Sequence, residues 1–248
     1  MNKVKVGAVS YFNTKPLIYG FQQGMMQDAV ELVTDYPSHI AAMLLNDEID
    51  VGLVPVAIIP RLNTPYVISD YCIGSDGPVA SVGLFSDVPM NEVKEVLLDY
   101  QSRTSVRLAR ILLKEYWKRD IIITDAKEDF REQIKGDTAG VVIGDRAFEQ
   151  RKVSKYVYDF GEAWKVFTGL PFVYAAWVSN KPLDKSFIQS FNEATSFGLQ
   201  HLDKVLAENP YNLFDLSAYF NKYMSYKLDD SKRKGLQLFL QKIASYQF

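Results

Sequence analysis

A short polar stretch near the N-terminus, residues 10–15, has the residue types and the position of a ligand-binding loop. This first loop reads Ser10-Tyr11-Phe12-Asn13-Thr14-Lys15 and directly follows the apolar run Val4–Val9. Ligands of open α/β sheets bind beyond the carboxyl ends of the strands, so a polar loop here is well placed. Asn13 offers two donors and an acceptor, and Lys15 adds a positive charge. The alternative is an ordinary turn in which Asn13 bonds its own backbone, and the residues alone leave both open.

A second polar stretch, residues 99–105, leads from an apolar run into a segment with helical periodicity. This second loop reads Asp99-Tyr100-Gln101-Ser102-Arg103-Thr104-Ser105. The first turn of a helix presents free backbone N–H groups and the positive end of the helix dipole, which suits a carboxylate or a phosphate. N-terminal capping by Ser102 or Thr104 explains one hydroxyl. Three hydroxyls beside Arg103 exceed what a cap needs, and we therefore favour an anion site.

Three further stretches place polar residues at predicted strand or helix ends. Ser38 opens a helix in Tyr36-Pro37-Ser38-His39 and could face the second loop as an opposing anion site. Ser81 ends the turn-rich stretch Gly74–Ser81 and faces either a cleft or the core. Asp145, in Ile143-Gly144-Asp145-Arg146, either caps a helix or reaches a ligand, and capping is the default.

The two histidines offer little for catalysis. His39 is the better placed of the two for a general base, but its exposed first-turn position favours an ordinary surface residue. His201 lies in a tail helix away from the strand ends. Neither sits near a nucleophile motif, so no Ser-His-Asp set is indicated.

The composition excludes several other classes of site. The 248 residues include 28 Lys and Arg, 30 Asp and Glu, two histidines and one cysteine, Cys72. One cysteine excludes a disulfide within the chain, and the inventory excludes a zinc site built mainly from Cys and His. A net charge of −2 leaves no basic footprint for nucleic acid or anionic lipid. Phosphate-binding glycine motifs are missing too, so no nucleotide cofactor is indicated.

The sequence also carries no pattern of export or membrane insertion. No apolar segment of signal-peptide type precedes the first predicted strand. The longest uncharged run, Val166 to Asn180, contains Gly169 and Pro171 and is too short to span a bilayer. We therefore expect a cytoplasmic protein without a membrane segment.

Alternation of β-branched runs with helical patterns predicts an α/β fold. Strands are expected at Val4–Val9, Val30–Thr34 and Ile49–Val54, with helices between them, and the pattern restarts at Val79–Phe85. From Asp184 onward the chain is predicted to be helical.

No flexible linker separates these two α/β units, so we expect two lobes joined by two crossing strands. The crossings are placed near Pro78 and near Trp177. One lobe would comprise residues 1–78 plus 178–248 and the other residues 79–177, with a hinged cleft between them. A single continuous sheet is the alternative.

Several segments, taken together and in order, resemble the chorismate dehydratase family. The match runs from Lys3 to about Val178, and each motif alone is weak. The segments are Ser10 to Leu17, Asp35-Tyr36-Pro37-Ser38, Asp50 to Pro55, Gly77 to Val82, Asp99 to Ser105, Ile143 to Ala147, Trp164, and Thr168 to Val173.

The resemblance implies a type 2 periplasmic-binding-protein-like fold and the dehydration of chorismate, the first step of the futalosine route to menaquinone. It implies no cofactor and no metal, with the substrate's own enolpyruvyl carboxylate acting as the base. Asn13 and Ser81 match the family's catalytic polar residues. The residues then expected to bind the substrate are Ser10, Tyr11, Ser38, Ser102, Thr104, Ser105, Gly144, Asp145 and Thr168. The only partner expected is the small-molecule substrate, and the oligomeric state is left open.

Three alternatives stand beside this interpretation. The sibling enzyme 1,4-dihydroxy-6-naphthoate synthase would carry a Cys-Pro-Asn-Asp-Thr-like first loop and a histidine after the strand that ends at Gly144, where this chain has Asp145. A non-catalytic binding protein for small anions would be expected to carry an export signal. The ligand domain of a transcription regulator would need a helix-turn-helix segment before the first strand.

Overall fold

Two five-stranded mixed sheets form the framework of the protein, in a computed structural model that describes residues 3–246. The first sheet has the order β2-β1-β3-β10-β4 and consists of β1 (Val4–Val9), β2 (Val30–Asp35), β3 (Val51–Pro55), β4 (Tyr66–Ser75) and β10 (Phe172–Ser179). The second has the order β7-β6-β8-β5-β9 and consists of β5 (Val82–Ser86), β6 (Glu95–Leu98), β7 (Ile122–Asp125), β8 (Thr138–Ile143) and β9 (Tyr156–Asp159).

Helices connect and cover these strands. Within the described residues they are α1 (Lys15–Gln22), α2 (Pro37–Leu45), α3 (Thr104–Ile111), α4 (Arg146–Val153), α5 (Phe160–Thr168), α6 (Lys185–Gln200), α7 (Leu202–Glu208), α8 (Leu216–Ala218) and α9 (Asp230–Ser245). Helices α3 and α8 each continue into one π-helical turn, at Leu112–Tyr116 and Tyr219–Tyr223. Short 3₁₀ turns lie at Phe12–Thr14, Val56–Arg61 and Arg131–Gln133.

Local sequence explains the central elements. Strands β3 and β10 are buried along their whole length, as expected of apolar strands inside a sheet that is covered on both faces. Helices α1 and α2 begin with Pro16 and Pro37 in their first turns, where the fixed φ of proline fits and its missing N–H costs nothing. The predicted strand Val4–Val9 and the helical tail beyond Asp184 are confirmed.

The chain crosses between the sheets twice. Residues 76–81, the crossing loop, connect β4 to β5, and helix α5 with residues 169–171 connects β9 to β10. The second crossing therefore precedes Phe172 rather than lying near Trp177, because β10 pairs with β3 and β4 in the first sheet. The segment Phe172–Trp177 was expected to belong to the lobe of residues 79–177, but it pairs with strands of the first sheet. The rest of the division into two lobes stays a prediction. Residues 1, 2, 247 and 248, which it assigns to the first lobe, lie outside the described residues.

One carboxylate lies at both crossings. Asp159 ends β9, and its Oδ1 accepts hydrogen bonds from the backbone N–H groups of Gly161 (3.0 Å) and Glu162 (3.2 Å), which caps helix α5. The same carboxylate accepts the backbone N–H groups of Val79 (2.9 Å) and Ala80 (2.8 Å) in the crossing loop. The relative placement of the two crossings thus depends on one side chain.

No helix within residues 3–246 combines the length and the apolar content needed to cross a membrane.

Helices α1 and α6 pack backbone against backbone. A Cβ atom built on Gly198 would lie 2.1 Å from the carbonyl oxygen of Pro16, and one on Gly20 would lie 2.2 Å from that of Ala194. Because α1 directly follows the first loop, this contact also fixes the base of that loop against the C-terminal helices.

We predict that Gly198→Ala lowers the free energy of unfolding by about 1–3 kcal/mol, because the added methyl group must push the two helices apart. Urea denaturation would measure the change. Gln200→Ala, at an exposed position of the same helix, serves as the control and should stay within about 0.5 kcal/mol of wild type. Equal urea midpoints for Gly198→Ala and wild type would contradict the close backbone packing of α1 against α6.

Candidate active site

A cavity of about 60 Å³ lies where the loops of the two sheets meet. Its polar lining comes from the first loop, the crossing loop, the start of α3 and the end of β8, and Val9, Ile73 and Tyr174 are among its apolar walls. The predicted site residues that line it are Tyr11, Asn13, Ser81, Ser102, Thr104, Ser105 and Gly144. The structure thus brings the three main polar stretches of the sequence to one place.

Asn13 occupies the 3₁₀ turn Phe12–Thr14 between β1 and α1. Its side chain is buried, and its Oδ1 accepts a hydrogen bond from the hydroxyl of Thr14 at 3.3 Å. This contact turns the amide nitrogen of Asn13 to the other side. A side-chain amide fixed in this way presents a defined donor.

Ser81 is positioned by the crossing loop. The hydrogen bonds from this loop to Asp159 hold Ala80 at a φ of 63°. This is the left-handed region, which costs a non-glycine residue roughly 1–2 kcal/mol. Arg151 braces the same turn, because its Nε donates to the carbonyl oxygen of Ala80 at 2.6 Å and its Nη2 to Asp159 at 3.0 Å. The resulting turn directs Ser81, which is fully buried, to the cavity instead of continuing strand β5.

The start of α3 is anchored by its own hydroxyl groups. Ser102 Oγ accepts the backbone N–H of Ser105 at 3.0 Å, so Ser102 caps the start of the helix. Thr104 Oγ1 donates to the carbonyl oxygen of Tyr174 at 3.1 Å and accepts the backbone N–H of Ala57 at 3.3 Å. The helix start is therefore tied to the first sheet while its first turn still lines the cavity.

An ion pair fixes the second loop against strand β8. Arg146 Nη2 donates to the two carboxylate oxygens of Asp99 at 2.8 and 2.7 Å. The same carboxylate accepts the backbone N–H groups of Gln101 (2.9 Å) and Ile143 (3.2 Å). Burial raises the pKa of Asp99, and the charge of Arg146 opposes that shift. The pair positions the loop that precedes α3.

Tyr11 closes the cavity on the side of β8. Its hydroxyl donates to Gln101 Oε1, a bond between the loops of the two sheets. Its ring lies against Gly144, where a Cβ atom would come within 2.7 Å of Tyr11 Cε2. Gly144 also has a φ of +65°, so this position requires glycine for two independent reasons.

Four predicted site residues lie beside the cavity or away from it. Ser10 is exposed, and Ser38 is half-buried on α2 next to Pro37, which lines the cavity. Thr168 caps the end of α5, donating to Trp164 O at 2.8 Å. Asp145 Oδ1 accepts the backbone N–H of Phe12 at 3.2 Å. Substrate contacts by these four residues, and by the predicted residues that line the cavity, stay predictions.

The histidines lie outside the cavity lining. His39 Nδ1 pairs with Asp35 Oδ2 at 2.5 Å on the exposed start of α2. His201 Nδ1 is 2.8 Å from the carbonyl oxygen of Phe197 in the tail. Within residues 3–246, no group of three or more His, Cys, Asp or Glu side chains is arranged to hold a metal ion.

The sequence interpretation missed Tyr219. Its hydroxyl donates to Ser81 Oγ at 2.6 Å, and its ring is fully buried behind the cavity. Its segment has only the apolar helical periodicity of a core element, and no signal in the sequence linked it to Ser81.

Residues 4–245 match the family model described as menaquinone biosynthesis. The chorismate dehydratase of Thermus thermophilus is 25% identical over 264 residues, an alignment that covers 97% of this chain and 95% of that protein.

Solved structures with the same fold include the Candida albicans CA3427 gene product, described as having the generic periplasmic binding protein fold. It is 14% identical with a TM-score of 0.66, over 100% of this chain and 92% of that one. The periplasmic aliphatic sulphonate binding protein of Escherichia coli is 13% identical with a TM-score of 0.63, over 98% and 88%. At these identities the likeness shows the fold alone, and it confirms the predicted periplasmic-binding-protein-like fold.

Asp145 should make stability depend on pH. Burial raises its pKa from the ordinary 3.8 to about 6, opposed by the Phe12 N–H and by Lys15. Between these values the folded chain holds a proton that the unfolded chain has lost, so stability falls as the pH rises through this window. We predict that Asp145→Asn is more stable than wild type by about 1–2 kcal/mol at pH 7.5, with a difference that shrinks toward pH 4.

Urea denaturation of both proteins at pH 4.5 and pH 7.5 would measure this effect. Asp28→Asn, at an exposed position, controls for the loss of one negative charge. A gain from Asp145→Asn that is the same at both pH values would contradict the raised pKa.

Proposed function

The chain belongs to the menaquinone-biosynthesis family, and from this premise we propose that it is a chorismate dehydratase, a lyase acting at the first step of the futalosine route. The observation that carries the proposal is the meeting of Asn13 and Ser81 in one buried cavity with the start of α3. The similarity to the dehydratase of Thermus thermophilus along nearly the whole chain supports it.

The proposed reaction converts chorismate into 3-[(1-carboxyvinyl)oxy]benzoate and water. A ring C–H bond and the C–O bond of the ring hydroxyl break, and the proton and the hydroxyl that are lost add up to one water molecule. The electrons of the C–H bond complete the aromatic ring, so no oxidant or reductant is consumed. The gain in aromaticity drives the reaction.

The cavity suits a substrate that brings its own base. Its polar lining consists mainly of hydroxyl groups, the Asn13 amide and backbone groups. In this proposal the enolpyruvyl carboxylate of chorismate takes the ring proton. The protein then contributes orientation and hydrogen bonds to developing charge, which are large terms in enzyme catalysis.

Roles for the individual residues follow from their positions. Asn13 presents a fixed amide donor that would hold the enolpyruvyl carboxylate, and Ser81 would hydrogen-bond the departing hydroxyl. The first turn of α3, with Ser102 and Ser105, would receive the ring carboxylate, since helix N-termini favour anions. We propose that the enzyme needs no metal or cofactor and acts in the cytoplasm on a small-molecule substrate.

The direct test is to mix the purified protein with chorismate and follow the loss of ring-diene absorbance, with the product identified by mass. We expect turnover that survives a chelator. Binding of chorismate without turnover would instead support a non-catalytic small-anion binding protein.

Asn13→Ala and Ser81→Ala should each lower kcat by about 10²-fold or more, because each removes a preorganised hydrogen-bonding group. Asn63→Ala, an exposed asparagine, and Ser86→Ala, a buried serine at the opposite end of β5, are the matched controls and should retain activity. Wild-type rates in both Asn13→Ala and Ser81→Ala would rule out the assigned roles.

A further inference from the structure

The hydroxyl of Tyr219 lies behind both proposed catalytic residues. It donates to Ser81 Oγ at 2.6 Å, and the neighbouring side chain of Asn13 lowers the pKa of the same hydroxyl. Tyr219 belongs to the π-helical turn Tyr219–Tyr223, far along the chain from both residues. One buried hydroxyl therefore joins the first loop, the crossing loop and the C-terminal helices.

The hydrogen bond between Tyr219 and Ser81 leaves Ser81 a donor. Asn13 Oδ1 accepts from Thr14, so the amide nitrogen is the donor that Asn13 can present to its other neighbours. Tyr219 donates its own O–H to Ser81 Oγ. With its oxygen accepting from Tyr219, Ser81 has its own proton left to donate into the cavity that it lines.

The ring of Tyr219 is held so that this hydroxyl has little freedom. Phe148 packs edge-on against it with ring centroids 5.0 Å apart, and Phe214 does so at 6.2 Å. Burial raises the pKa of Tyr219, so the group remains a neutral donor at physiological pH. Phe148 belongs to α4, which begins directly after Gly144 and Asp145, so the aromatic contacts couple the C-terminal segment to the cavity wall.

We propose that Tyr219 is a positioning residue of the dehydratase, which orients the Ser81 hydroxyl as a donor toward the departing hydroxyl of the substrate. This inference rests on the proposed function. Tyr219 transfers no proton in this role and acts only through Ser81.

The test is Tyr219→Phe, which keeps the ring and removes the hydroxyl. We expect kcat with chorismate to fall about tenfold or more while KM changes less than about threefold, because the lost interaction orients a group that acts in the transition state. The matched control is Tyr226→Phe, since Tyr226 is also a buried tyrosine but its hydroxyl has no hydrogen-bond partner within residues 3–246. Tyr226→Phe should keep kcat and KM within about twofold of wild type.

A double-mutant cycle separates this role from a structural one. In a Ser81→Ala background the further change Tyr219→Phe should cost less than about twofold in kcat, because the group that it orients is gone. Full additivity of the two losses, or a kcat of Tyr219→Phe equal to wild type, would overturn the inference while leaving the proposed function intact. A wild-type protein that does not turn over chorismate would contradict the proposed function and this inference with it.

Discussion

The buried carboxylate of Asp159 is the contact on which the arrangement of the cavity depends. It accepts four backbone N–H groups, two from the crossing loop and two from the first turn of α5, and it pairs with Arg151. Hydrogen bonds to a charged acceptor are worth about 1.5–3 kcal/mol each, enough to hold Ala80 in its unfavourable conformation. Because these groups belong to both connections between the sheets, one side chain sets where Ser81 lies and where α5 begins.

A second constraint is that both sheets must contribute to the cavity at once. Tyr11 and Asn13 come from the first sheet's loop, whereas Ser102 and Gly144 come from loops of the second. The bonds of Thr104 to Ala57 and Tyr174, and of Tyr11 to Gln101, join the two sides around the cavity. Hydrogen bonds to developing charge are stronger in a cavity walled by both sheets than at an open surface.

The parts of this site that sequence could predict are those governed by local rules. Tyr11 and Asn13 of the first loop and the three hydroxyl residues at the start of α3 line the cavity, because strand ends and helix starts have recognisable residue patterns. Their contact with a substrate stays a prediction. Tyr219 was missed because its contact with Ser81 depends on how the C-terminal helices fold back, which periodicity does not encode. Strand β4 was missed because Asp70 and Gly74 interrupt its apolar pattern. The second crossing was misplaced because the apolar run of β10 does not show with which sheet it pairs.

The central claim is that the substrate supplies the base and the protein supplies a hydrogen-bonded cradle around it. Asp145 is the rival protein base, since it lies beside the first loop and burial raises its pKa to about 6. A crystal structure of the Ser81→Ala variant with bound chorismate distinguishes the two most directly. We predict the enolpyruvyl carboxylate within reach of the ring hydrogen and held by Asn13, with the Asp145 carboxylate turned to Phe12. An Asp145 oxygen in contact with that ring carbon, or chorismate bound outside the cavity, would contradict the account.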